Sequence, residues 1–389
     1  MIKINLIVIV SLLSACVGNS SNNASISHSS SSPAFQKAER FFAGADLSYV
    51  NEMEDCGASY KLGNETLDPF ALFAGAKTNL IRVRLWHTPA TQYSNLADAK
   101  KTIARAKQYK MKVLLDLHYS DTWADPEKQF IPKTWESLYD NSNALSIALY
   151  DYTYSVLNEL KRENLIPEMI QIGNETNSEI LQLESSMNTS SINWQRNAQL
   201  INAGLKAVND FNKNENLHIE RVLHIAQPEN ALTWFPQAKA ADITDFDIIG
   251  LSYYPKWSSY KLAGLGNAIH SLKTQFKKDV MIVETAYIWT LDNFDAANNV
   301  LGEDSLIADF PASPEGQYDY LMALANQVID AGGIGVVYWE PAWVSTQCKT
   351  QWGVGSHWEN ASFFYPPSGN EALKSILFFS DALKLYQSK

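Results

Sequence analysis

Cysteine is scarce in this sequence: its 389 residues contain three, Cys16, Cys56 and Cys348. A disulfide-stapled scaffold and a cysteine-built zinc site are thereby excluded, because each needs more thiols at regular spacing. Basic charge is also short, with 31 Lys and Arg against 42 Asp and Glu and a net charge of −11. That balance argues against nucleic acid, or an anionic surface, as the main partner. Histidine is limited to seven, and no His/Asp spacing supports a metal centre. The apolar run INLIVIVSLL, residues 4–13, is too short to span a bilayer.

What is abundant is apolar and aromatic. Hydrophobic residues make up 46% and aromatics 12%, with 11 Trp and 18 Tyr. The first figure supplies a sizeable core. The second favours a carbohydrate ligand, since sugar rings stack on indole and phenol faces. At the N-terminus Lys3, the apolar run and Leu13-Ser14-Ala15-Cys16 form a targeting segment. Its end resembles the lipobox of bacterial lipoproteins, which implies cleavage before Cys16 and lipidation of that thiol. The chain is therefore expected to divide into a signal peptide (1–15), a lipidated Cys with a Ser/Asn-rich linker (16–34) and a folded domain (35–389). The stretch NSSNNASISHSSSSP, residues 19–33, has almost nothing to bury and reads as a flexible tether. A bacterial lipoprotein of the outer membrane or cell surface is expected. Val17 lacks the aspartate that would favour inner-membrane retention. For Cys56 and Cys348, a single bridge and two free thiols both remain open.

From about Phe35 onward, apolar strand-like runs alternate with amphipathic helical stretches. Strands are predicted at 40–46, 79–86, 111–120, 168–175, 221–226, 246–254, 280–285 and 333–340, with helices such as 97–110, 144–163, 193–212 and 316–332 between them. Strict alternation over eight units predicts an α/β fold of the closed (β/α)8 type, a TIM barrel in a single domain. An open doubly wound sheet is disfavoured, because no Gly-rich phosphate turn follows the first strand.

Side chains alternate faces along a strand, and the predicted strands pass that test. Arg82 and Arg84 share one face; so do Leu114, Asp116 and His118; Gln171, Gly173 and Glu175; Gly250, Ser252 and Tyr254; and Ile282 with Glu284. In this fold, polar groups near strand C-termini converge on one mouth. Two carboxylates end facing strands there, Glu175 in EMIQIGNETN and Glu284 in VMIVETAYIWT. Such a pair is what glycoside hydrolysis needs: one acid to protonate the leaving oxygen, one carboxylate to attack or to activate water. Glu340 also ends a strand, but a structural pairing suits it better than attack.

The segments GADLSYVNEME, IRVRLWHTP, VLLDLHYSDTWADPEKQ, QIGNETN, LSYYPKW, VETAYIWT and VVYWEPAW, in that order over residues 40–365, resemble those of glycoside hydrolase family 53. These are endo-β-1,4-galactanases of a retaining (β/α)8 clan. The resemblance implies an endo-acting enzyme on β-1,4-galactan, the side chains of type I arabinogalactan in pectin. A monomer that meets a membrane only through the lipid on Cys16 is expected. The resemblance also implies Glu175 as acid/base and Glu284 as nucleophile, with Arg84 holding the nucleophile's charge. Asn174 would donate to the hydroxyl beside the reacting carbon, Tyr254 would bond the nucleophile, and His118 would line the same subsite. Asp125, Lys128, His224 and Trp257 fall where the family contacts polysaccharide, and Trp343 matches a stacking platform. One departure concerns calcium, which bacterial relatives often hold in a loop after the nucleophile strand. Here TLDNFDAANN, residues 290–299, offers Asp292 and Asp295 and no His, so no cofactor is expected.

Overall fold

The computed structural model describes residues 38–389. The signal peptide, Cys16, the whole linker and residues 35–37 lie outside the described residues. Eight parallel strands close into a barrel: β1 (Phe42–Asp46), β2 (Leu80–Leu85), β3 (Lys112–Leu117), β4 (Met169–Ile172), β5 (Glu220–Ala226), β6 (Ile248–Ser252), β7 (Asp279–Glu284) and β8 (Gly335–Tyr338). Each falls within or beside a run expected from the sequence. Between and after them run α1 (Pro69–Gly75), α2 (Leu96–Gln108), α3 (Ser142–Arg162), α4 (Trp194–Glu215), α5 (Pro228–Ala240), α6 (Leu262–Phe276), α7 (Pro314–Asp330) and α8 (Phe378–Ser388).

Local chemistry sets where these helices begin. Asp68, Asn95, Asn141, Asn193 and Ser313 each accept from a backbone N–H of the first turn, satisfying donors that would otherwise lack partners. Pro69 and Pro314 stand in the first turn, where a missing N–H costs nothing. The closing pair β1–β8 needs a glycine: a Cβ at Gly335 would lie 2.7 Å from the Phe42 carbonyl oxygen.

The barrel interior has an apolar floor of Phe42, Leu80, Leu114, Met169, Val222, Ile248, Met281 and Val337. Outward residues of the same strands, such as Ile81, Val83, Val113 and Leu115, join the larger core under the helices. Burying each such aliphatic side chain contributes roughly 1.5–3 kcal/mol, and above this floor the interior becomes polar.

The seventh strand departs from simple alternation. Met281 and Val283 face the interior, whereas Ile282 belongs to the outer core, so Ile282 and Glu284 do not share a face along a regular strand. The register explains how Glu284 still reaches the mouth: Leu251 pairs with Ile282, but Ser252 pairs with Glu284. The skipped residue is a bulge, and bulges re-aim the side chains that follow.

Two small sheets escaped the sequence reading. Tyr60–Leu62 pairs with Glu65–Leu67 on one side and Glu371–Ala372 on the other, Glu371–Ala372 pairs in turn with Phe364–Tyr365, and Lys349–Thr350 pairs with Gly353–Val354. Strands of two or three residues show no periodicity. Cys56 and Cys348 are bridged, tying the loop after β1 to the loop after β8.

Candidate active site

Backbone geometry at the C-terminal end of β4 aims the first carboxylate. Gly173 has φ 82° and Glu175 φ 45°, so the chain turns sharply through a region that non-glycine residues enter at a cost of about 1–2 kcal/mol. A Cβ at Gly173 would meet Thr176 Cγ2 at 2.5 Å. The turn is pinned where Thr176 N–H donates to the His224 carbonyl at 3.0 Å. Glu175 is half-buried at the cleft, with Oε1 in hydrogen-bond contact with Ser252 Oγ. Burial, and then the charge of Glu284, hold its carboxyl well above the usual range.

Glu284 is 6% exposed and meets different company. Arg82 Nη2 stands 2.8 Å from its Oε1, and Tyr254 donates its hydroxyl to Oε2 at 3.1 Å. Burial pushes this carboxyl up, to about 7, against the downward pull of Arg82. Glu175 makes no ion pair with a cation among the described residues, so of the two Glu284 is the one whose surroundings favour the charge.

The cation beside Glu284 is therefore Arg82, not Arg84. Arg82, 1% exposed, also binds Asp46 and Asp116 at 2.8 and 2.7 Å and donates to Asn174 Oδ1 at 2.7 Å. Arg84 turns the other way, pairing with Glu340 at 3.1 Å and lying 4.1 Å from the Trp123 ring centre. Glu340 is fully buried and is the structural partner the sequence suggested. Both arginines share the inner face of β2, and alternation cannot say which reaches β7.

The other expected residues divide by what their polar atoms already do. Asn174 and Tyr254 line the cleft; Asn174 gives one amide hydrogen to the Ala124 carbonyl at 2.8 Å and keeps the second. His118 lines the wall, but both ring nitrogens are engaged, Nε2 with Asp116 and Nδ1 with Trp86 and the Ala124 N–H. It braces the wall rather than reading sugar hydroxyls. Asp125 lines the cleft, whereas Lys128 stands outside the lining and pairs with Asp125 at 3.2 Å. His224 is a correction: it is 0% exposed and lies beneath the mouth, bonded to Asn174 and Ser252, so no polysaccharide can touch it. Trp257 lines the cleft and is 47% exposed; Trp343 also lines it but is 1% exposed and stacks on Tyr49 at 4.2 Å.

Sequence reading missed Arg82 and Ser252 as partners of the carboxylates, although both lay on predicted inward faces. It also missed Trp339 and Trp352, which line a cleft of about 520 Å³. Trp352 sits in the turn between Lys349–Thr350 and Gly353–Val354 and is 41% exposed. In the loop after β7, Asp295 accepts from the Ala297 and Ser356 N–H groups, both at 2.7 Å. Those carboxylate oxygens already serve the backbone, and no group of three His, Cys, Asp or Glu suited to a metal occurs among the described residues.

Comparison with known proteins agrees with this geometry. An arabinogalactan endo-β-1,4-galactanase of Cellvibrio japonicus is 58% identical over 340 residues, covering 87% of this chain and 90% of that protein. The GH53 catalytic domain of Ignisphaera aggregans superposes with a TM-score of 0.79 at 29% identity, covering 87% of this chain and 95% of that one. A structure from a study of two fungal β-1,4-galactanases gives a TM-score of 0.74 at 28% identity, covering 87% and 98%. The model of glycosyl hydrolase family 53 matches residues 42–379, and the chain belongs to that family.

Proposed function

We propose that this protein is an endo-acting, retaining glycosidase that cleaves β-1,4-galactosidic bonds in galactan, the side chains of type I arabinogalactan in pectin. The observation that carries the reading is the pair of carboxylates at one mouth in opposite surroundings, Glu284 against Arg82 and a tyrosine hydroxyl, Glu175 against a serine without a cation. Such a contrast separates a nucleophile from an acid. Family membership and the named activity of the relatives support the choice of galactan.

In the first step a Glu284 oxygen bonds to the anomeric carbon. The glycosidic bond breaks, and Glu175 passes its proton to the departing oxygen. In the second, Glu175 takes a proton from water, whose oxygen bonds to the same carbon as the Glu284 ester breaks. Loss of its proton in step one is what lets Glu175 act as base in step two. The free amide hydrogen of Asn174 faces the sugar hydroxyl beside the reacting carbon. Trp257 and Trp352, exposed on loops after β6 and β8 and lining the cleft, offer stacking surface beyond the reacting carboxylates, as an endo-acting enzyme on a long chain requires.

Digestion of galactan with product stereochemistry followed by proton NMR tests this. The β-anomer must appear first, and α-anomer first would overturn retention. Turnover of mannan without galactan would overturn the substrate. The reading extends to a monomer anchored through lipid on Cys16 at the cell surface. Leu13-Ser14-Ala15-Cys16 and the Ser/Asn-rich stretch behind it support that. Wild type should partition into a detergent phase and Cys16→Ser into water; equal partitioning would remove the anchor.

A further inference from the structure

His224 is buried out of reach of substrate, yet it is joined to the acid/base through one serine. The direction of that connection follows from counting hydrogens. Asn174 Oδ1 accepts from Arg82 at 2.7 Å, and its Nδ2 donates to the Ala124 carbonyl at 2.8 Å. These two contacts fix the amide, because reversal would set donor against donor and acceptor against acceptor. His224 Nδ1 stands 2.9 Å from that Oδ1, which can only accept, so Nδ1 carries the hydrogen; the Glu175 N–H also points at Nδ1, but at 3.4 Å it is the longest of the contacts there and yields to the shorter bond. Gln171 Nε2 is also 3.0 Å from Nδ1. Its two hydrogens, however, have the Asp116 carboxylate at 2.6 Å and the Gly173 and Asn174 oxygens at 3.1 Å.

Burial and the nearby Arg82 keep His224 neutral, which leaves Nε2 a bare acceptor. Ser252 Oγ lies 2.8 Å from Nε2 and gives it the only hydroxyl hydrogen. The remaining contact, between Ser252 Oγ and Glu175 Oε1, then needs a hydrogen from the carboxyl group. An ionised Glu175 would draw the serine hydrogen to itself and leave Nε2 facing a bare oxygen.

We propose that His224, acting through Ser252, is a positioning residue for the acid/base, and that the directed chain Glu175→Ser252→His224→Asn174 retains the proton of Glu175 in the free enzyme. This rests on the catalytic roles proposed above. Its components come from three neighbouring strands, β4, β5 and β6, so the state of the acid is set by the barrel rather than by one loop. Charged and titratable groups facing Glu175 are Glu284 from β7, Asp125 from the loop after β3, Arg82 from β2 and Tyr254 beyond β6; those facing His224 are Arg82 and His118. Glu284 and Asp125 act in the same direction as the chain; a Ser252 hydroxyl donating to the carboxylate would oppose it, and Arg82 does oppose it.

Two measurements test it. In wild-type protein, with His224 assigned through the backbone, nitrogen-15 NMR should show Nδ1 protonated and Nε2 bare; a proton on Nε2 overturns the inference. Ser252→Ala should move the basic limb of the kcat/KM profile down by about one pH unit, with Ser252→Thr restoring it. An upward move would show serine donating to the carboxylate, and an unmoved limb would show no coupling; either overturns the chain. If wild type does not hydrolyse galactan, the catalytic reading fails while the tautomer remains measurable. If it does and Nε2 is protonated, only this inference falls.

Discussion

Replacing Arg82 and Arg84 separately separates two roles that look identical along β2. At 2.8 Å, the attraction between Arg82 and Glu284 is roughly 6 kcal/mol at an effective dielectric of 20. Three carboxylates share this guanidinium, so only part of that acts on Glu284. A share of one third to two thirds corresponds to about 1.5–3 pKa units. Arg82→Lys keeps the charge but loses the fork that spans Asp46 and Asp116; Arg82→Met loses both. In kcat/KM profiles on galactan the acid limb reports the nucleophile of the free enzyme. Arg82→Met should shift it upward by about 1.5–3 units from a starting point of about 7, lowering activity at neutral pH by about 15- to 500-fold, and Arg82→Lys should shift it less. Thermal unfolding in parallel guards against simple misfolding, since stranding buried carboxylates costs about 3–5 kcal/mol. Arg84→Met strands Glu340 and should lose similar stability while leaving the acid limb where it was. A limb that moves with Arg84 and ignores Arg82 would refute the assignment of the cation.

Glu175→Ala should remain able to form the glycosyl-enzyme from aryl galactosides with good leaving groups, because they need no acid. Azide should accelerate its turnover and yield a β-galactosyl azide by NMR; no acceleration would remove Glu175 as acid/base. Cys56→Ser with Cys348→Ser opens a bridge across a separation of 292 residues and should cost about 2–5 kcal/mol. Unfolding midpoints check this, and KM for polymeric galactan should rise more than kcat falls, as the tie on the Trp352 loop is released. Trp257→Ala and Trp352→Ala should each raise KM for long galactan several-fold at nearly constant kcat; a loss confined to kcat would contradict stacking.

The sequence by itself determined the barrel and its mouth. Eight apolar runs of strand length, alternating with amphipathic helices, leave few other ways to bury both faces of a parallel sheet. The strand ends at Glu175 and Glu284 were legible because a carboxylate closing a buried run is costly without a purpose. Tertiary structure alone decided how the mouth is wired. Alternation assigns a face to a residue but not a neighbour across the barrel, so it could not divide Arg82 from Arg84 or see His224 sink below the surface. The bulge at β7 also had no signature of its own: it exists in the pairing of Ser252 with Glu284, between segments that meet only when the barrel closes. The Cys56–Cys348 bridge and the short strands beside the cleft share that origin. Contacts between distant segments carry no local period, and so were settled only when the chain folded.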